Sequence, residues 1–237
     1  MLRACAIAVV IAFFGGLMLI PASPPQDSVT WRFDRLDEIG GYPTTLLGHP
    51  RVIETPAGKA IQFNGVDDAI YVDAHPLAGA GAFTWEVIFR PDPGGAAEQR
   101  FFHLQELDPK TGADTNTRML FEIRVIGGQW ALDSFAMSGR ESLALLDRAK
   151  LHSLGAWHTA AAVYDGHEFR NYVDGLLQGS GPLQLTPQGA GHTSIGTRIN
   201  RIDYFKGAVR EARMSRRALA PPEFLKLETD QRLIPQD

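Results

Sequence analysis

Short runs in which apolar and polar residues alternate are the main pattern along the chain. Residues 83–91 read FTWEVIFRP, with Phe, Trp, Val and Phe at every second position, and residues 119–128 (MLFEIRVIGG) repeat the pattern with Met, Phe, Ile and Val. Successive side chains of a strand point to opposite faces of a sheet, so this period of two is typical of strands with one buried face. The pattern predicts two such strands, each with a polar side that faces away from the core.

Turn signals separate these runs. Asn-Gly, Gly-Gly and Asp-Gly pairs begin at Asn64, Gly127, Asp165 and Asp174. Pairs of this kind tolerate the positive φ angles of tight hairpins. Many short strands with frequent turns predict an all-β fold, a β-sandwich or a jelly roll.

Only two segments favour a helix. In residues 140–154, Leu143, Leu146 and Ala149 are spaced for one or two helical turns. Residues 221–228 begin with prolines, which a first helical turn accommodates. We therefore expect a short helix in each of these two segments.

The N-terminus has the pattern of a secretory signal. Arg3 precedes the apolar residues 4–20, which are followed by PASPPQ. This predicts a signal peptide over residues 1–23, a linker over residues 24–29 and a folded domain over residues 30–237. The alternative is an uncleaved membrane anchor, because the apolar run reaches the lower limit of the roughly 17–25 residues that span a bilayer. Either way we expect an exported protein, periplasmic or extracellular.

The cysteine count and the net charge exclude several classes of function for this chain. Cys5 is the only cysteine and lies in the predicted signal, so the domain has neither a disulfide nor a thiol nucleophile. The full chain has a net charge of −4, and loss of Arg3 makes the charge of the domain more negative by one. Nucleic acids and anionic membranes both favour clustered Lys and Arg. We therefore exclude nucleic acid as the main partner and expect membrane contact only through an uncleaved N-terminal segment.

Four segments, in order, resemble one family, the laminin-G-like (concanavalin A-like lectin/glucanase) jelly rolls of exported bacterial proteins. They are FNGVDDAIYV at residues 63–72, FTWEVIFRP at 83–91, GAWHTAAAVYDGHEFRNYVDGLL at 155–177 and SIGTRINRIDYFKGAVREARMSRRALAPPEF at 194–224. In the first segment Asn64 replaces the first Asp of the family's Phe-Asp-Gly-x-Asp-Asp corner. The resemblance implies a two-sheet antiparallel β-sandwich that binds glycans or proteins, and the fold alone does not decide between them.

Asp67 and Asp68 are the first candidate metal ligands. They lie between two alternating runs, where short polar side chains commonly cap backbone amides in Asx-turns. A calcium site needs roughly six to eight oxygens, so two adjacent carboxylates are at most a fragment of one. We interpret the pair as turn formers and keep calcium as the alternative.

The segment DPKTGADTN is a second candidate for calcium. Asp108, Asp114 and Asn116 are oxygen ligands in a loop that contains Gly112. A solvated hairpin tip has the same composition, and we favour that interpretation. Many members of the resembled family have an Asp in the closing strand, and in a number of jelly-roll folds an Asp there contributes to a structural calcium site. Arg210 occupies that position here. We therefore expect no cofactor and a fold that does not require calcium.

The polar sides of the two alternating runs are candidate ligand-binding residues. Glu86 and Arg90 belong to the first run, and Glu122 and Arg124 to the second. If the two strands are neighbours, these side chains share one outer face. Such a lattice of mixed charge is typical of a solvated sheet face, and the alternative is a polar carbohydrate groove.

Arg170 and Tyr172 are a further candidate pair. They alternate with Phe169 and Val173 before the Asp174-Gly175 turn, so they share one strand face. An aromatic ring beside a guanidinium could stack a sugar ring, whereas ordinary cross-strand packing gives the same pattern.

Catalytic motifs are missing from the chain. Some glycosidases of the resembled superfamily carry Glu-x-Asp-x-x-Glu on one strand. Here Glu106 and Asp108 begin that pattern, but Thr111 stands in place of the final Glu. We predict a non-catalytic, lectin-like module for carbohydrate or extracellular-matrix-like ligands. The alternatives are a glycoside hydrolase or polysaccharide lyase with an atypical site, and a domain that binds another protein of the cell envelope.

Overall fold

The computed structural model describes residues 27–56 and 58–227, which form an all-β fold of seventeen strands and one short 3₁₀ helix. The strands in chain order are β1 (Ser28–Arg32), β2 (Glu38–Ile39), β3 (Tyr42–Leu47), β4 (Arg51–Thr55), β5 (Gly58–Asn64), β6 (Ala69–Val72), β7 (Phe83–Pro91), β8 (Glu98–Leu107), β9 (Asp114–Ile126), β10 (Gln129–Ser138), β11 (Glu141–Leu146), β12 (His152–Ser153), β13 (His158–Tyr164), β14 (Glu168–Val173), β15 (Leu176–Pro182), β16 (Gly191–Ile195) and β17 (Lys206–Ser215). The helix follows at Pro221–Glu223.

These strands form two antiparallel sheets, which confirms the predicted fold class. The first sheet has the order β15-β14-β13-β7-β17-β5-β4, and β1 pairs with β17. The second sheet has the order β11-β10-β9-β8-β16-β6-β3-β2, and β12 pairs with β10.

The core lies between the sheets and is rich in aromatic rings. The predicted inner residues of β7 and most of those of β9 belong to one buried hydrophobic cluster, so the alternation marked the inner faces correctly. Trp85 of β7 and Phe121 of β9 meet across the sandwich with their ring centroids 4.1 Å apart. Burial of such a side chain stabilises the fold by about 1.5–3 kcal/mol.

The turn at Asn64-Gly65 is a corner between the sheets. It joins β5 of the first sheet to β6 of the second, so it is not the hairpin that its sequence predicts. Gly65 does have a positive φ of 77°. The Asn-Gly pair indicates only the local backbone conformation, and a corner and a hairpin can have the same one.

Both helix predictions require correction. Residues 140–154 contain β11, which pairs with β10, and no helix. Leu143 and Leu145 pack toward the core at a period of two, and this burial overrides the helical spacing. In the second segment only one turn of 3₁₀ helix forms, at Pro221–Glu223. No helix within the described residues is long and apolar enough to cross a membrane.

The predicted signal peptide at residues 1–23 lies outside the described residues, as does the first half of the predicted linker. Strand β1 begins at Ser28, inside the last part of that linker. Its residues pair with the end of β17, from Ser28 opposite Ser215 to Arg32 opposite Glu211. The folded sandwich therefore includes Ser28 and Val29.

The β14–β15 hairpin allows a test of the turn assignment. Asp174 and Gly175 have φ angles of 50° and 78°, and a β-branched residue is strongly disfavoured at such angles. We expect Gly175→Val to lower the free energy of unfolding by at least about 1 kcal/mol in chemical denaturation. Gly81→Val is the control, because Gly81 has no positive φ and a Cβ added there would meet no atom within 4 Å beyond its chain neighbours. Equal stability of Gly175→Val and wild type would contradict the assignment.

Candidate functional site

The segment that follows β17 covers the part of the outer face of the first sheet that β13 and β14 form. Leu219 and Phe224 of this segment pack on Ala161, Val163 and Tyr172 and form a second hydrophobic cluster. The Tyr172 and Phe224 rings meet edge to face with their centroids 5.1 Å apart. Tyr172 therefore cannot present its ring to a sugar.

Glu86 lies under the same segment and is only 1% exposed. Arg213 donates to both of its carboxylate oxygens, at 2.6 and 3.0 Å, and the Leu225 N–H donates at 2.6 Å. A bidentate guanidinium and a backbone amide satisfy this buried charge. Glu86 thus anchors the C-terminal segment and has no access to a ligand.

The prediction that Glu86 and Glu122 share an outer face is wrong. Strand β7 belongs to the first sheet and β9 to the second, so the two carboxylates lie on opposite sides of the sandwich. Alternation identifies which side chains of a strand face outward, but it does not identify the sheet to which the strand belongs.

The two remaining candidates of the first sheet have partners close in sequence. Arg90 donates to Asp92 at 2.7 and 3.1 Å and lies over the Trp157 ring, 5.4 Å from its centroid. Arg170 donates to Glu168 at 2.8 Å and also to Asp165. These contacts are ordinary surface ion pairs, so neither residue forms a ligand site with Tyr172.

Asp67 and Asp68 form the corner between β5 and β6. The Asn64 side-chain oxygen accepts the N–H groups of Val66, Asp67 and Asp68, which closes the turn. The Asp68 carboxylate accepts the N–H groups of His49 at 2.7 Å and Asn64 at 2.9 Å. Both Asp68 oxygens therefore already bind backbone amides, as the turn interpretation expects.

The three oxygen ligands predicted in the β8–β9 region do not converge. Asp108 accepts the N–H groups of Lys110 and Thr111, and these hydrogen bonds lower the pKa of its carboxyl group. Asp114 contacts His192 Nε2 at 2.7 Å, and the Asn116 backbone carbonyl accepts from Arg118. Within residues 27–56 and 58–227, no group of three His, Cys, Asp or Glu residues could hold a metal ion.

The outer face of the second sheet contains a cavity of about 200 Å³ that we call the arginine basin. Its lining residues come from β8, β9, β10, β11 and the β16–β17 loop (residues 196–205). They are Arg100, Arg118, Leu120, Glu122, Arg124, Asp133, Phe135, Ala144 and Arg198. The four residues from β9 alternate with the inward Met119, Phe121 and Ile123, so the pattern that builds the core also builds the basin.

One side of the basin is an ion-pair network. Arg124 contacts Glu98, Glu122 and Asp133 at 2.8, 3.0 and 2.7 Å. Glu122 and Asp133 stand directly opposite each other on β9 and β10 and are each 5% exposed. Burial raises the pKa of both carboxyl groups, although the nearby guanidinium groups favour their charged forms. Arg124 therefore bridges two buried acids that would otherwise repel.

The other side of the basin combines an aromatic ring with guanidinium groups. Arg118 lies over the half-buried Phe135 ring, 5.0 Å from its centroid, and donates to the Asn116 carbonyl at 3.0 Å. Arg198 approaches from the β16–β17 loop. Burial lowers the pKa of Arg118, and the positive charge of Arg198 lowers it further. Two like charges are thus held close together at this end of the basin.

A larger cavity of about 610 Å³ lies beside the β8–β9 turn, but three of its four ionisable side chains, those of Glu106, Asp108 and His192, already have hydrogen-bond partners. Glu106 accepts from the Thr115 hydroxyl and the Gly189 N–H, and His192 contacts Asp114. Much of the remaining lining is glycine and proline. The arginine basin is therefore the better candidate site.

Sequence reasoning identified Glu122 and Arg124 but missed the other charged residues of the basin. Arg118 stands one residue before the alternating residues 119–128, and the same alternation extended backward places it on the outer face. Asp133 and Arg198 could not be found in this way. Their positions depend on strand register and on the path of a loop.

Comparisons with known proteins agree with this architecture. A laminin G-type family model, described as the concanavalin A-like lectin/glucanases superfamily, matches residues 64–224. No curated protein matches the chain.

Solved structures with the same fold include a sugar-bound domain and toxin domains. One is domain 4 of AbnA, a GH43 extracellular arabinanase from Geobacillus stearothermophilus, which was solved in complex with arabinotriose. It is 19% identical to this chain with a TM-score of 0.60, and the match covers 84% of this chain and 97% of that one. The binding domain of Paraclostridial Mosquitocidal Protein 1 is 13% identical with a TM-score of 0.59, covering 83% of this chain and 50% of that one. The receptor-binding domain of botulinum neurotoxin D is 11% identical with a TM-score of 0.57, covering 82% and 50%. The chain thus spans about half of each toxin domain, and identities this low show the fold alone.

The hydrogen bonds of the predicted oxygen ligands lead to a prediction about calcium dependence. Both oxygens of Asp68 bind backbone amides, and Asp114 is paired with His192. We expect the melting temperature in excess EDTA to equal that in added calcium. A fall of about 10 °C, which corresponds to roughly 3 kcal/mol for a domain of this size, would contradict this if calcium restored it.

Proposed function

The chain belongs to the concanavalin A-like lectin/glucanase superfamily, and on that premise we propose that it is an exported, non-catalytic module that binds carbohydrate through the arginine basin. The N-terminal signal pattern supports export, periplasmic or extracellular. Domain 4 of AbnA, which has the same fold, is an arabinotriose complex and supports a sugar ligand.

The observation that carries this proposal is the difference between the two outer faces. On the first sheet, the segment with Leu219 and Phe224 covers the aromatic residue Tyr172. On the second sheet, Phe135 is half-buried beside a cavity lined by polar side chains. Sugar sites commonly combine an apolar ring with a few oriented hydrogen-bonding groups. The arginine basin offers both on a face that the described residues after β17 do not cover.

A second candidate function is a glycoside hydrolase with an atypical site. Glu122 and Asp133 are directly opposed in register, and burial raises the pKa of both, as a general acid requires. This pair replaces Glu86 and Glu122 as the dyad to test. Arg124 contacts both carboxylates, which favours their charged forms and occupies the space between them. We therefore place binding before catalysis.

The test is a glycan array followed by titration calorimetry with the purified protein. Ala144→Trp should fill the basin from the exposed edge of β11 and weaken glycan binding at least about tenfold, or 1.4 kcal/mol. Thr45→Trp is the matched control, because it adds the same ring to an exposed position on β3, at the far side of the same sheet. Equal affinities of the two variants would show that the ligand binds elsewhere.

The same preparation tests the alternatives. Incubation with the bound glycan should release no reducing sugar. Turnover that Glu122→Gln abolishes would establish the hydrolase. Binding to an envelope protein in the absence of any glycan binding would favour the protein-interaction function, in line with the receptor-binding domains that share this fold.

A further inference from the structure

The charges of the arginine basin are separated into two groups. Arg100 and Arg124 engage the four carboxylates around it, which are Glu98, Glu122, Asp133 and Asp203. Arg118 and Arg198 form no ion pair with any carboxylate of the described residues. The chain as a whole is acidic, with a net charge of −4, so two such arginines at one cavity are not explained by a generally basic surface.

Both of these arginines have a hydrogen-bond donor without an acceptor. The Nε atoms of Arg118 and Arg198 are buried and have no partner among the described residues. Arg100 and Arg124 also have buried nitrogens outside hydrogen-bond geometry, but these lie at ion-pair distance from carboxylates. A guanidinium group only donates, and buried donors are nearly always satisfied. The Arg118 end of the basin therefore lacks an acceptor that bears negative charge.

His103 holds the loop that carries Arg198 against the sheet. Its Nδ1 accepts the N–H of Ile199 at 3.0 Å, so the proton of the neutral ring is on Nε2. That Nε2 is buried without a partner and is a third unsatisfied donor in this region. Burial lowers the pKa of His103 far below its usual value, and the charges of Arg198 and Arg118 lower it further. The ring stays neutral and adds a donor but no charge.

The backbone of the β16–β17 loop is strained where it crosses the sheet. Arg201 and Asp203 have φ angles of 62° and 56°, and they are two of the three non-glycine residues with positive φ in the described chain. The Arg100 N–H donates to the Asp203 carbonyl at 2.8 Å and ties the loop to β8. Strain of this kind persists only where the surrounding structure imposes it, often at binding sites.

We propose that the ligand of the basin is an acidic glycan, whose carboxylate or sulfate group is bound between Arg118 and Arg198 while its sugar ring packs near Phe135. This inference rests on the proposed function and specifies the substrate class of the same site. Oxyanions accept several hydrogen bonds and match the planar donors of arginine. A neutral sugar would leave the two like charges uncompensated.

The experiment compares acidic glycans with their neutral counterparts. The probes are an oligogalacturonate, its methyl-esterified form, a sulfated galactan oligosaccharide and its desulfated form, each titrated into the full protein by calorimetry. The variants are Arg118→Gln and Arg198→Gln. Arg51→Gln, on the exposed edge strand β4 of the first sheet, removes the same charge away from the basin and serves as the control. Melting temperatures show whether each variant is folded.

We expect at least one acidic probe to bind about tenfold or more tightly than its neutral counterpart. Each basin variant should lose this preference, and Arg51→Gln should keep it. Tighter binding of the oligogalacturonate would identify a carboxylate as the bound group, and tighter binding of the sulfated galactan would identify a sulfate. The comparison of probes on wild type does not depend on the folding of any variant.

Two results would overturn the inference. If neutral and acidic forms bind equally, or if both folded basin variants keep full affinity for the acidic probe, the site does not select for charge. The proposed function would survive that outcome, provided that Ala144→Trp still blocks binding. If no glycan of either kind binds, the inference and the proposed function both fail.

Discussion

The ion pair between Glu86 and Arg213 holds the segment that covers the aromatic part of one outer face of this sandwich. Glu86 is buried, and its charge is tolerated because Arg213 binds both oxygens and the Leu225 amide donates a third hydrogen bond. The same contacts hold the C-terminal segment on the first sheet, where Phe224 covers Tyr172. The binding surface that we propose therefore lies on the second sheet.

On the second sheet, the alternation that fills the core also supplies the basin. Phe121 and Ile123 face inward, while Arg118, Glu122 and Arg124 face outward from the same strand. Buried charges are stable only when they are paired, and the pairing here is uneven. The acids are paired with two arginines, although one oxygen of Asp133 accepts no hydrogen bond, and the two remaining arginines face the cavity without a counterion in the described part of the chain. An acidic glycan would complete this arrangement.

The fold class and the inner faces of β7 and β9 could be predicted from the sequence, because a period of two depends only on strand geometry. The partners of each strand could not be predicted, so Glu86 and Glu122 were assigned to one face when they lie on opposite sides. The spacing of Leu143, Leu146 and Ala149 predicts a helix, but Leu143 and Leu145 fit the period of a strand, and pairing with β10 decides the outcome. Arg198 reaches the basin through the path of a loop, which no local pattern encodes.

The most direct test of the account is to map the bound glycan on the protein by NMR. Backbone amide shifts of the isotopically labelled protein would be followed during titration with the acidic probe that binds most tightly. The account predicts that the largest shifts occur around Arg118, Phe135 and Arg198. Largest shifts around Trp157, which precedes β13 of the first sheet, or around His192 beside the larger cavity, would contradict it.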